Sequence, residues 1–249
     1  MIRRYLGSAL FPPDSIYRVT TPLINQSLVF DIGANRGAMA RMFTDAGAIT
    51  VAVEPQPFLV HDNIENFAGC AAIENCCVAA HNGRIEFYPS ARDTISSCNP
   101  QWREGYFKDD PESKGLPTQT IAAVTLEFLI EKYGRPKYIK IDVEGFEDKV
   151  LAGLTSAVDM LSFEYTGGYA EIFEACALEI RRLDYRRIIA FEEKKKGSRK
   201  LCRIFQFDAV DQTLSYFRAL DKYRQGDLLL LNRHVDIDLG LLTTSAYES

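Results

Sequence analysis

The sequence predicts an α/β fold: a doubly wound, mostly parallel seven-stranded sheet with an antiparallel edge hairpin. Three observations predict it. Short apolar, β-branched runs alternate with helical patterns along most of the chain. The first run ends in a glycine-bearing turn that leads directly into a helix. Two late runs are separated only by the charged stretch 192–200, which is too short for a parallel crossover and so makes a hairpin.

Taken in order, residues 28–32 (Leu-Val-Phe-Asp-Ile) have the near-continuous apolar content of a strand buried on both faces, and residues 38–46 have the makings of a helix. Further strands are expected at 50–54, 72–78, 138–142, 160–164, 185–191, 201–207 and 228–232. Right-handed crossovers wind the early strands to one side and the later ones to the other, which leaves a crevice at the carboxyl edge beside the first strand. Residues 1–25 read as an N-terminal extension, 26–233 as the domain and 234–249 as a C-terminal tail.

With 249 residues, 47% of them hydrophobic, the chain is long enough for one α/β domain with a large core. Its 29 basic and 34 acidic side chains argue against broad affinity for nucleic acid or anionic membranes. No run approaches the roughly 18 apolar residues of a membrane span, and Pro12, Pro13 and Asp14 cut short the early apolar stretch. A soluble, cytoplasmic protein is the expectation. The cysteines at 70, 76, 77, 98, 176 and 202 lack paired metal-site spacing and are expected to be reduced.

The turn after the first strand reads Gly33-Ala34-Asn35-Arg36-Gly37, preceded by Asp31. A dinucleotide fingerprint needs Gly-x-Gly-x-x-Gly so that a pyrophosphate can lie on bare backbone, and this spacing differs, which disfavours an NAD-dependent reductase. An acid leading into the turn repels pyrophosphate and suits an ammonium or a sulfonium; S-adenosylmethionine carries both. Glu54, about 20 residues further on at the end of the second strand, is placed to accept both ribose hydroxyls. The cofactor set is therefore Asp31, Gly33, Ala34, Asn35, Gly37, Glu54 and Pro55, with Cys77 and Val78 beside the adenine at the end of the third strand, and Asp142.

The fourth strand is chemically the richest. Tyr138, Lys140, Asp142 and Glu144 share one parity, so alternation puts Lys140 and Asp142 on one face. A lysine in a central strand must be neutralised by an acid or open into a cavity. Lys140, Asp142 and Glu144 form the catalytic set, with Asp142 facing the methionyl end or the acceptor and Glu144 as base. Glu147 reads as an acid complementing a helix dipole. Glu164 is a further acceptor-binding acid. Mg²⁺ held through oxygens of Asp142, Glu144 and Glu164 is a lesser reading, and no metal is assigned. His61, His81 and His234 are poor competitors for the base.

Asp31-Ile-Gly-Ala-Asn-Arg-Gly37, Val53-Glu-Pro55 and Tyr138-Ile-Lys-Ile-Asp-Val-Glu-Gly-Phe-Glu147 together resemble the FkbM-type family of S-adenosylmethionine-dependent methyltransferases, with a weaker likeness reaching Ser162-Phe-Glu-Tyr165. The resemblance implies a class I, Rossmann-like fold and O-methylation of a hydroxyl on a small molecule or saccharide, releasing S-adenosylhomocysteine. Two alternatives remain open. One is a non-catalytic cofactor-binding or partner-recruiting module. The other is an RNA methyltransferase using Arg181, Arg182, Arg186, Arg187 and the basic hairpin tip at 192–200, although nucleic acid is not expected and a charged tip is a normal guard on a sheet edge. The acceptor and the oligomeric state are not specified. The stretch 87–118, with Trp102, Tyr106 and Phe107, reads as a lid.

Overall fold

The computed structural model describes residues 16–105, 116–167, 169–196, 199–207, 209–219 and 225–238. Among these, the strands are β1 (Leu28–Ile32), β2 (Ile49–Val53), β3 (Ala72–Glu74), β4 (Cys77–Val78), β5 (Gly83–Phe87), β6 (Gln119–Val124), β7 (Tyr138–Ile141), β8 (Met160–Thr166), β9 (Arg187–Lys196), β10 (Arg199–Phe207) and β11 (Gln225–Leu231). The helices are α1 (Ile16–Thr20), α2 (Ala38–Asp45), α3 (Pro57–Asp62), α4 (Pro100–Gly105), α5 (Leu126–Tyr133), α6 (Glu147–Ala152), α7 (Ala170–Arg182) and α8 (Val210–Arg218).

The main sheet runs β10-β9-β11-β8-β7-β1-β2-β3. Strands β3, β2, β1, β7 and β8 are mutually parallel, while β11 lies antiparallel between β8 and β9. Seven strands thus make the doubly wound sheet, and β10 folds back on β9 as the antiparallel edge hairpin. On one face Phe30, Ile139, Leu161 and Phe163 pack against Leu126 and Leu129 of α5, Val150 of α6 and Ile180 of α7. On the other, Val29, Tyr138 and Met160 meet Val19 of α1 and Phe43 of α2. Tyr138 is fully buried, edge-on to Phe43 at 5.6 Å, with its hydroxyl 2.7 Å from Ser162 Oγ. That bond satisfies the phenol while the ring contributes about 1.5–3 kcal/mol of apolar burial. Among the described residues, no helix is long and apolar enough to cross a membrane.

The expected strand at 72–78 is two strands. β3 ends at Glu74, Asn75 Nδ2 donates to the Glu54 carbonyl at 3.1 Å, and the chain leaves the sheet edge. β4 then pairs with β6 in a second, three-stranded sheet, β4-β6-β5. Neither β5 nor β6 is read from the sequence, because Gly83-Arg-Ile-Glu-Phe87 is short and Gln119-Thr-Ile-Ala-Ala-Val124 lacks bulky alternation. The stretch 192–196, expected as loop, continues β9, so the hairpin is longer than its charge pattern suggests. Its tip, residues 197–198, lies outside the described residues, as do residues 1–15, 239–249 and Tyr106 and Phe107 of the lid.

The cysteines require a correction. Cys77 and Cys98 pair sulfur to sulfur, whereas Cys70, Cys76 and Cys176 are free. The pairing arises because β4 carries Cys77 out of the main sheet and under the loop that holds Cys98.

Candidate active site

The turn after β1 is built for close approach. Gly33 has φ +75°, and a Cβ there would fall 1.8 Å from the Asp142 carbonyl oxygen. Only glycine lets the ends of β1 and β7 lie so near each other. Asn35 (φ +47°) and Gly37 (φ +77°) complete the bend into α2.

Around this bend lies a cleft of about 660 Å³, open to solvent and lined by Gly33, Asn35, Glu54, Pro55, Gln56, Cys77, Val78, Phe87, Asp93, Asp142 and Glu144 among others. Among the described residues no lysine, arginine or histidine lines it. Glu54 is 3% exposed; its Oε2 accepts the Asn35 N–H at 2.7 Å and its Oε1 the Gln56 N–H at 2.9 Å. Burial pushes this carboxyl up to about 7, against the pull of those two donors. The backbone therefore aims Glu54, and the carboxylate oxygens keep lone pairs for a ligand's hydroxyls.

Three members of the expected cofactor set do not line the cleft. Asp31 is wholly buried, with Lys140 Nζ 3.4 Å from Oδ1 and no hydrogen bond to either carboxylate oxygen. Ala34 packs with Ala40, Ala52 and Phe67, and the missing side chain of Gly37 is covered by the Phe67 ring. Lys140 lines neither this cleft nor the second one described below. It is 5% exposed, bonded to the Gly33 carbonyl at 3.2 Å and paired with both Asp31 and Asp142, the latter at 3.2 Å. Burial pulls its ammonium toward neutrality, but Asp142 and Asp31 outweigh that and hold it protonated. These contacts tie β1 to the end of β7 and neutralise Asp31.

Glu144 sits at the seam. It lines the first cleft and also a second, of about 510 Å³, bordered by Trp102, Glu147, Glu164, Tyr165, Tyr169 and Phe173 among others. Its backbone has φ +57°, an unusual conformation for a side-chain-bearing residue. The lid holds the turn in place: Trp102 Nε1 donates to Glu144 Oε2 at 3.0 Å, Asn99 Nδ2 to the Gly145 carbonyl at 2.8 Å and Ser97 Oγ to the Val143 carbonyl at 3.3 Å. Trp102 lies so close over Gly145 that a Cβ there would meet the indole at 2.2 Å. At the other side of the first cleft, Asp93 of the lid pairs with Arg36 at 2.8 Å. Burial, then Asp142 and Glu147, push the Glu144 carboxyl well above the usual range, opposed by the Trp102 donor.

Glu147 is more than a helix-dipole acid. It is buried, accepts the Gly145 N–H at 3.2 Å, and burial pushes it up to about 7. Carboxylate oxygens of Asp142, Glu144 and Glu164 lie within 4.8 Å of one another. The histidines are elsewhere: His61 and His234 are exposed beside Asp62 and Asp159, and His81 lines neither cleft. The arginines of the expected docking face have acidic partners, Arg181 with Asp211, Arg182 with Glu179, Arg186 with Asp184 and Arg187 with Asp236. Sequence reasoning missed Gln56, Phe87 and Asp93 in the first cleft, and Tyr169 and Phe173 in the second. Gln56 follows Pro55 directly and could have been found; the others depend on tertiary contacts.

Fold and site together define a class I methyltransferase architecture: a doubly wound sheet with an acid-lined cleft at the carboxyl ends of its first strands. The chain belongs to the methyltransferase FkbM domain family, whose model matches residues 31–219. No curated protein matches the sequence. Similar solved structures include precorrin-6y C5,15-methyltransferase from Geobacter metallireducens, at 10% identity over 86% of this chain and 84% of that one, TM-score 0.42. A TehB-like SAM-dependent methyltransferase from Corynebacterium glutamicum matches at 10% identity over 84% and 82%, TM-score 0.40. A SAM dependent methyltransferase from Archaeoglobus fulgidus matches at 14% identity over 83% and 86%, TM-score 0.38.

Proposed function

We propose that the protein transfers a methyl group from S-adenosylmethionine to a hydroxyl of a small molecule or saccharide. One observation carries this reading: a cleft whose charged lining is acidic among the described residues, with backbone-aimed Glu54 at one side and Glu144 opening onto a second cleft. The residues fit the cofactor. Glu54 would hold the ribose hydroxyls, Cys77, Val78 and Phe87 offer an apolar wall for adenine, and Asp142 offers its charge to the cationic methionyl end.

When bound, S-adenosylmethionine supplies an electrophilic methyl and leaves as S-adenosylhomocysteine. The chain's own work is to position the acceptor and take its proton. Alignment of acceptor oxygen and methyl can contribute roughly 7–11 kcal/mol, and a base about 100- to 10,000-fold. Glu144 is the base, because it alone of the candidate catalytic residues borders both clefts. Its raised pKa brings it nearer the range in which a carboxylate accepts a proton effectively. An RNA acceptor is disfavoured, since its phosphates would meet carboxylates at both clefts.

The test is incubation with methyl-labelled cofactor and pooled polyhydroxylated acceptors, read by mass spectrometry. Label on an acceptor oxygen supports the proposal. Cofactor binding without S-adenosylhomocysteine release from any pool would favour the binding-module alternative, and methyl found on carbon or nitrogen would overturn O-transfer.

A further inference from the structure

Resting on the methyl-transfer reading, we propose that the second cleft is the acceptor site and selects an amine-bearing, polyhydroxylated molecule, with Glu164 holding the ammonium and Glu144 facing a neighbouring hydroxyl. The cleft runs from the carboxyl end of β8 to α7 and has two kinds of wall. One is aromatic. Trp102 and Tyr169 lie with ring centroids 4.9 Å apart and planes tilted by 35°, and Phe173 stacks on Phe217 at 3.7 Å. The other is acidic, with Glu144, Glu147 and Glu164, and among the described residues no lysine, arginine or histidine lines it.

The negative charge extends beyond the rim. Asp142 brings its carboxylate within 4.8 Å of Glu144 and Glu164, and Asp227 sits opposite Glu164 on β11. Among the described residues a nearby cation, Lys140, already lies between Asp31 and Asp142. Carboxylates this close repel one another, and the repulsion is relieved by protons or by a cation from outside. Burial first, and then their acidic neighbours, push both Glu144 and Glu164 upward.

An ammonium fits both walls. Carboxylates neutralise it, and aromatic faces attract a cation or cover a sugar ring. A divalent metal fits less well, because the Trp102 N–H already points at Glu144 Oε2 and a hard cation needs about six oxygen ligands. Phosphorylated or carboxylated acceptors are repelled. The charge also directs the chemistry: an ammonium has no lone pair, so the methyl can bond only to the hydroxyl oxygen, whose proton passes to Glu144 while sulfur keeps the pair from its broken bond to carbon.

The test is calorimetry on the full chain saturated with S-adenosylhomocysteine, titrated with a panel of aminosugars and aminocyclitols, each paired with its N-acetyl derivative. The pairs share rings and hydroxyls and differ in charge. At least one amine should bind tenfold or more tightly than its acetylated partner, and Glu164→Gln should erase that preference while leaving S-adenosylhomocysteine affinity unchanged. No amine exceeding its partner tenfold would overturn the inference, as would a preference that survives Glu164→Gln or that appears only with added Mg²⁺. Failure to bind S-adenosylhomocysteine at all would instead overturn the methyl-transfer reading beneath it.

Discussion

The two clefts meet at Glu144 yet are held together by different means. In the first, backbone does the positioning: the Asn35 and Gln56 N–H groups fix Glu54, and the Asp142 carbonyl occupies the space a Gly33 side chain would need. In the second, side chains from segments far apart in sequence meet, Trp102 reaching Glu144 across 42 residues and stacking on Tyr169. Backbone geometry suits a ligand that never changes, whereas loop-borne side chains can be exchanged without disturbing the sheet. On the proposed reading, the cofactor half is thus the fixed part of the machine and the acceptor half the variable part.

The sharpest test of that division is Glu144→Gln, because the residue belongs to both halves by position and to the second by role. Turnover should fall by about 100- to 10,000-fold, with cofactor affinity unchanged by calorimetry. A matching loss of affinity would make Glu144 a cofactor residue and blur the division.

The same division decides what the sequence discloses. Glu54 and the Gly33–Gly37 bend are legible because a strand, its turn and the next strand are local, and strand parity says where each side chain points. Parity also places Lys140 beside Asp142 correctly. It does not say how deep a residue lies, so Asp31 reads as a ligand contact when it is the buried partner of Lys140. The second cleft is nearly illegible. Trp102 is conspicuous as the single tryptophan, but nothing local tells that it covers Gly145, nor that Cys98 comes to Cys77. The small sheet is missed for the same reason, since β4 finds its partner in β6, Cys77 pairing with Ala123 and Val78 with Val124.

Next in size is a pH effect common to both halves. Glu54 and Glu147 have folded pKa values raised from 4.5 to about 7. An acid that holds its proton more tightly when folded stabilises the fold at low pH and loses that contribution as pH rises from about 4.5 to 7. Each group contributes at most about 3 kcal/mol to the slope. The melting temperature of the cofactor-free chain should therefore fall between pH 5 and about 8, and Glu147→Gln should flatten the curve. A slope unaltered by Glu147→Gln would show that its charge is better solvated than its burial implies.

A smaller effect, confined to the fixed half, is expected for Glu54→Gln. An amide can accept from one of the two backbone donors but turns its NH₂ toward the other, and it hydrogen-bonds ribose hydroxyls less strongly than a carboxylate. Cofactor affinity should drop about 10- to 100-fold. The kcat at saturating cofactor should stay within a few-fold. A large kcat loss with unchanged affinity would place the ribose elsewhere.

The smallest effect belongs to the lid. Trp102→Phe keeps an aromatic ring over Gly145 and beside Tyr169 but removes the N–H that reaches Glu144 Oε2. That donor favours the ionised carboxylate, so without it the Glu144 pKa moves further up. A base must be deprotonated to act, and the limb on which kcat rises with pH should therefore shift to higher pH. At neutral pH turnover should fall by up to about tenfold, the scale of one hydrogen bond to a charged group, and recover as pH is raised. A residue that merely filled space would lower kcat equally at every pH, so a uniform loss would reduce Trp102 to packing and leave the orientation of Glu144 to the backbone, as in the first cleft.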